Sequence, residues 1–127
     1  MHYNEISGAI IDTALQVHSA LGPGLLESAY RTILTYELRK RGLGVETEVE
    51  IPLQWEKVRL EVGFRADLIV EDSVIVELKS VEQLRPVYKK QLLSYMRLAD
   101  KRLGLLINFG EELLKNGIVR VVNRLEE

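Results

Sequence analysis

Seven residues in a row, Leu103-Gly104-Leu105-Leu106-Ile107-Asn108-Phe109, carry no charge and only one polar side chain. A strand with no wet face must be covered on both sides. The chain therefore has to build a sheet that supports a layer on each face. Its 127 residues give it one core of ordinary size, so the expected organisation is a single domain over residues 1–127.

The rest of the pattern supplies those layers. Ile6, Ile10, Ala14, Val17 and Leu21 recur at helical spacing and predict an amphipathic helix over 5–21, stopped by Gly22-Pro23-Gly24. Leu26, Tyr30, Ile33, Leu34 and Leu38 carry the period through a second helix over 24–41, closed by Gly42, with Arg39, Lys40 and Arg41 in its last turn. The period then becomes two. Val45, Thr47, Val49 and Ile51 alternate with Glu46, Glu48 and Glu50, giving a strand with one dry face that ends at Pro52. Val58, Leu60 and Val62 alternate with Lys57, Arg59 and Glu61 in a second strand, followed after Gly63 by Phe64–Val70. A turn at Glu71-Asp72-Ser73 leads into a more buried strand, Val74–Leu78. Pro86 opens a helix that runs to Asp100, the apolar strand follows, and Ile118–Val122 closes the chain as a last strand. The order is α-α-β-β-β-α-β-β. The strand after the third helix joins the sheet by a crossover, so the sheet is mixed and the class is α/β of the α+β kind.

Composition removes several classes of function. There is no cysteine, hence no disulfide framework and no thiolate zinc site. No apolar run approaches the roughly 18 residues of a membrane span, and Met1-His2-Tyr3-Asn4-Glu5 has neither the basic start nor the apolar stretch of a signal peptide. A soluble, cytoplasmic protein without a membrane partner is expected. The net charge of −2 argues against nucleic acid, but its distribution does not. Residues 44–77 hold nine acids against three bases, and residues 78–102 hold seven bases against Glu82 and Asp100. A dipolar molecule of this kind can bind a polyanion locally.

The chemistry concentrates at Val76-Glu77-Leu78-Lys79. Glu77 and Lys79 share one face of the strand, while Val76 and Leu78 face the core. Such a pair sits at a sheet edge, pairs internally, or lines a cleft, because burying either charge alone is costly. Asp67 lies ten residues earlier, across a turn that can bring its carboxylate beside Glu77. Two adjacent carboxylates want a cation between them, and Mg²⁺ is held by one or two carboxylates with waters and phosphate. Lys79 would orient or deprotonate an attacking water and balance phosphate charge. On spacing alone an ordinary charged hairpin is the better fit, since charged strands often make this pattern by chance. The helix that follows carries Lys89, Lys90 and Arg97, suited to phosphates. It also places Tyr88, Gln91, Leu92 and Tyr95 on one face, turned either to the cleft or to the core. Glu27 opens the second helix, as a surface acid complementing the dipole or as a further carboxylate for the metal.

Gly24-Leu25-Leu26-Glu27-Ser28-Ala29-Tyr30 resembles the pattern that names the GxxExxY family. So do His18 ahead of Gly22-Pro23-Gly24, Arg65-Ala66-Asp67-Leu68, Val76-Glu77-Leu78-Lys79-Ser80, Gln91-Leu92-Leu93-Ser94-Tyr95 and Gly104–Gly110, in order over residues 5–122. That family is grouped with the PD-(D/E)xK nuclease-like superfamily. The resemblance implies a restriction-endonuclease-like core, helices flanking a mixed sheet. It implies a nuclease using Mg²⁺ or Mn²⁺, with nucleic acid as partner (DNA ahead of RNA) and a homodimer as one assembly. It implies Asp67 and Glu77 as metal ligands, the Leu78 carbonyl as an extra one, and Glu27 as a helical acid contacting metal, often through water. Lys79 corresponds to the motif lysine and Gln91 to a glutamine of the following helix. Ala66 stands where the superfamily's name has proline. His18 and Tyr30 match the pattern without an assigned chemistry and, with Tyr88 and Tyr95, are accessory candidates. The alternative is a silent nuclease-like scaffold that binds protein or nucleic acid without turnover.

Overall fold

The computed structural model describes residues 1–126. Three helices, α1 (Tyr3–Leu21), α2 (Glu27–Lys40) and α3 (Pro86–Ala99), flank strands β1 (Val45–Trp55), β2 (Val58–Val70), β3 (Val74–Lys79), β4 (Leu103–Asn108) and β5 (Ile118–Val122), with a 3₁₀ turn at Leu114–Gly117. The sheet order is β1-β2-β3-β4-β5. β3 and β4 are parallel, and the other three pairings are antiparallel. The parallel pair is joined by α3, as a crossover requires. The expected α+β mixed sheet is therefore what the chain forms.

The two-sided covering demanded by β4 is met in full. Leu103, Leu105 and Ile107 enter a core with Ile6, Ile10, Leu34 and Leu38 of α1 and α2. Leu106 turns to the other side, into a core with Ile75, Leu92 and Met96. Gly104 belongs to that second side because a Cβ there would lie 2.7 Å from the Met96 sulfur. Each fully buried Leu or Ile contributes about 1.5–3 kcal/mol, so this strand is a main anchor of both layers.

Three strand expectations need correction. Pro52 does not end β1, which continues to Trp55. β1 is an edge strand, and the register with β2 jumps between Ile51 and Leu53, so the missing proline N–H falls at an irregularity. Residues 58–62 and 64–70 form one strand, β2, rather than separate pieces. The dry face expected of Val58, Leu60 and Val62 is exposed, at 59%, 51% and 44%. This end of the hairpin contributes nothing to either core, because it runs past the helices that would cover it.

The single dry face expected for β1 is also divided. Val45 packs in the α1–α2 core, whereas Val49 and Ile51 pack in the α3 core. In β2 the same change falls between Leu68, on the α1–α2 side, and Ala66, on the α3 side. The pairs Thr47–Leu68 and Val49–Ala66 place Glu48 opposite Asp67, and Glu48 has φ 48°. The pleat slips phase at this point while the register is kept.

Candidate active site

The site is assembled where β3 ends. β3 is the central strand of five, so Glu77 and Lys79 do not lie at a sheet edge. The β2–β3 ladder runs from Val70–Val74 to Leu68–Val76, and the next residues along are Asp67 and Glu77. Their carboxylates replace the ladder bonds. Asp67 Oδ2 accepts from the Leu78 N–H at 2.8 Å, and Glu77 Oε1 accepts from the Asp67 N–H at 3.3 Å. Glu77 is 9% exposed. Burial, then the charge of Asp67 and the hydrogen bond with it, push the Glu77 carboxyl up to about 9. At neutral pH the pair thus holds a proton in place of a second negative charge.

Lys79 follows on the same face. Its ammonium lies 4.5 Å from the centre of the Tyr88 ring, a cation–π arrangement that steadies the flexible side chain. Tyr95, two turns further along α3, stacks on Phe64 with ring centres 3.9 Å apart. Its phenol is pushed up by burial and by the charges of Glu77 and Asp67, so it stays a hydroxyl. Both tyrosines are half-buried and pack against the α3-side core, while Leu92 on that helical face is core itself. Gln91 is exposed on the same face. Lys89, Lys90 and Arg97 are exposed and take part in no ion pair among the described residues.

The GxxExxY spacing has a mechanical reading. Gly22 and Gly24 take φ 72° and 103°, a conformation that favours glycine, and turn the chain between α1 and α2. Glu27 is the first residue of α2. Tyr30, one turn on, donates its hydroxyl to the Gly22 carbonyl at 2.6 Å and accepts from the Leu25 N–H at 3.1 Å. Its ring stacks on Phe109, centres 4.4 Å apart. The tyrosine thus fixes the loop that aims the start of α2. His18 lies behind this loop. It is buried, its Nε2–H donates to the Glu111 carbonyl at 2.7 Å, and its ring tilts against Phe109. It is not brought to the carboxylate pair.

Other ties hold the cleft walls. Ser80 donates to the Leu25 carbonyl at 2.6 Å, joining the end of β3 to the α1–α2 loop. Asn108, fully buried, accepts from Val81 N–H and Gly110 N–H and donates to the Val81 carbonyl. Between these loops lies a cleft of about 780 Å³ lined by Glu27, Arg31, Ser80 and Glu82 among others. Glu27 is exposed there and does not join Asp67 and Glu77. No group of three or more metal-ligating side chains converges among the described residues. Arg31 was missed by the sequence reading. It pairs with Glu48 at 2.9 Å and with Asp67 Oδ1 at 3.7 Å. The available signal was its place four residues after Glu27, on one face of α2.

The donor set fits a hard divalent cation. Both groups are carboxylates, one is kept protonated by its burial and then by its neighbour, and a cation would replace that proton. Two carboxylates without a full protein cage suit Mg²⁺ or Mn²⁺, which keep waters and take up phosphate.

The family description of the PD-(D/E)XK nuclease superfamily matches residues 4–121. The chain belongs to that superfamily. PD-(D/E)XK nucleases generally use divalent metals, and membership implies nucleic acid as substrate. The crystal structure of SSO0001 is similar in fold, with a TM-score of 0.55 and 18% identity over 95% of this chain and 67% of that one. A search among curated proteins gave no match. No helix among the described residues is long and apolar enough to cross a membrane. Glu77-Leu78-Lys79 at the end of β3 has the acid–x–lysine order that this description spells.

Proposed function

We propose that this chain is a divalent-metal-dependent nuclease of the GxxExxY kind, one domain that hydrolyses phosphodiester bonds of nucleic acid. The observation that carries the reading is the Asp67–Glu77 pair, two carboxylates held together with one buried and lifted to about 9. A purely structural hairpin gains nothing from that arrangement.

In this reading Asp67 and Glu77 would hold Mg²⁺ or Mn²⁺, with the Leu78 carbonyl and Glu27 as further candidate ligands. The bound ion supplies Lewis-acid polarisation and neutralises charge on the phosphate oxygens. Lys79, braced on Tyr88, holds a phosphate oxygen and orients the attacking water. The Tyr95 hydroxyl and the Gln91 amide donate hydrogen bonds into the same cleft. Lys89, Lys90 and Arg97 bind flanking phosphates and make affinity fall with salt. Tyr30 and His18 are positioning residues that hold the α1–α2 loop and its backing.

One observation favours a second reading, a silent scaffold. Arg31 already sets a cation 3.7 Å from Asp67. The deciding experiment incubates purified protein with Mn²⁺ or Mg²⁺ and linear, single-stranded and branched DNA and RNA. Metal-dependent cleavage is expected, reduced at least about 100-fold in both Glu77→Ala and Lys79→Ala. No cleavage together with no thermal shift on adding metal would overturn the nuclease and favour the scaffold.

A further inference from the structure

A second groove, of about 670 Å³, runs between α2 and β1 beside the carboxylate pair. Arg31, Thr35, Tyr36, Arg39 and Lys40 form its α2 wall, and Glu48 stands opposite. Arg31 and Glu48 are ion-paired, and Arg31 also reaches Asp67, so one end of the groove opens at the candidate site. Lys40 marks the other end. They stand nine positions apart on the helix, about 13 Å.

Three features of this groove are unusual for a solvated helix face. Tyr36 is 63% exposed and presents its ring to solvent, with the Lys40 ammonium 5.6 Å from the ring centre. Three cations face a single carboxylate, and that carboxylate is already neutralised by Arg31. The partners of the other two cations are weak competitors. Arg39 spends one N–H on the Val45 carbonyl, and Lys40 pairs at 3.4 Å with Glu37 on the helix surface. Thr35 forms part of the lining, and its buried hydroxyl has no hydrogen-bond partner among the described residues.

Cations along a backbone path with an exposed aromatic ring beside them match the chemistry of one nucleic-acid strand. Phosphates pair with the cations, and an unstacked base lies on the ring. A duplex has its bases already stacked on each other and offers Tyr36 no face. We infer that the α2–β1 groove binds a single-stranded segment of nucleic acid leading away from the Asp67–Glu77 pair, with a base stacked on Tyr36 and phosphates on Arg39 and Lys40. The inference rests on the nuclease reading for its functional sense, but it is tested by binding alone.

The test uses Glu77→Gln protein without metal, so that no cleavage occurs, and fluorescently labelled single-stranded DNA and RNA oligonucleotides with a duplex for comparison. Anisotropy should show single strands bound more tightly than duplex. Tyr36→Ala should weaken single-strand binding about 5- to 100-fold and Tyr36→Phe should restore it, since the ring is what stacks. Lys40→Ala should weaken binding and lower the salt slope by about 1. Trp55→Ala, an exposed aromatic on the distant hairpin end, should change neither. Equal binding by Tyr36→Ala and the parent protein would overturn the inference, as would failure of the parent to bind any single strand. Either result leaves the nuclease reading to be judged on cleavage of the substrate panel by wild-type protein.

Discussion

Asp67 and Glu77 meet across the end of the β2–β3 ladder, each carboxylate accepting a backbone N–H that the other strand no longer pairs. The strands thereby hand over from backbone to side-chain bonding, and two acids end up side by side with no cation between them among the described residues. Arg31, at 3.7 Å from the far oxygen of Asp67, compensates only in part.

The first consequence is a pH dependence of metal-free stability. Glu77 has its folded-state pKa raised from 4.5 to about 9. The folded state therefore holds this proton more tightly than the unfolded chain does. The Glu77 contribution is full below about pH 4.5 and is lost as pH rises toward 9. Glu77→Gln, which keeps the shape and removes the charge, should raise the melting temperature at pH 8 and leave it unchanged near pH 4. The gain is on the order of 1–3 kcal/mol. Thermal scans of both proteins across this range check it, and parallel profiles would contradict it.

Arg31 should compete with a divalent ion for Asp67. Arg31→Ala is expected to lower the metal-free melting temperature slightly, because Glu48 and Asp67 both lose their partner. It should at the same time tighten Mn²⁺ binding about two- to fivefold, the scale of a partly exposed charge interaction. Calorimetric titration of wild-type and variant protein with Mn²⁺ measures the second effect. Weaker binding in the variant would mean that Arg31 supports the ion rather than opposing it.

Tyr30 offers a test of the loop that aims α2. Tyr30→Phe keeps the ring on Phe109 and strands the Gly22 carbonyl and Leu25 N–H. Stability should fall by about 1–3 kcal/mol in urea unfolding. Substrate cleavage should fall further than stability explains, since Glu27 is held at the end of that loop.

Much of this was readable in the residues, and the exceptions have physical causes. The apolar strand at Leu103–Asn108 and the helical periods of α1 and α2 identified their elements, because burial on two faces or one stripe leaves a strong periodic trace. The meeting of Asp67 with Glu77 followed from hairpin arithmetic. The exposure of Val58, Leu60 and Val62 did not, because alternation reports which residues share a face and not whether anything covers it. The phase slip at Glu48 was hidden for a similar reason. A conformational change at one residue leaves the alternation in the sequence intact. Arg31 was hidden because its partners lie on two other elements, and sequence spacing marks only neighbours along the helix.

That phase slip has one further implication. Ala66 is rooted beneath α3 and Leu68 beneath α1 and α2, so Asp67 is clamped between two separately built hydrophobic layers. Neither layer alone can put its carboxylate opposite Glu77. A chain emerging half-made, or one that has lost a single helix, holds the same acids but no centre. The geometry of the pair is complete only once the whole molecule has closed around it.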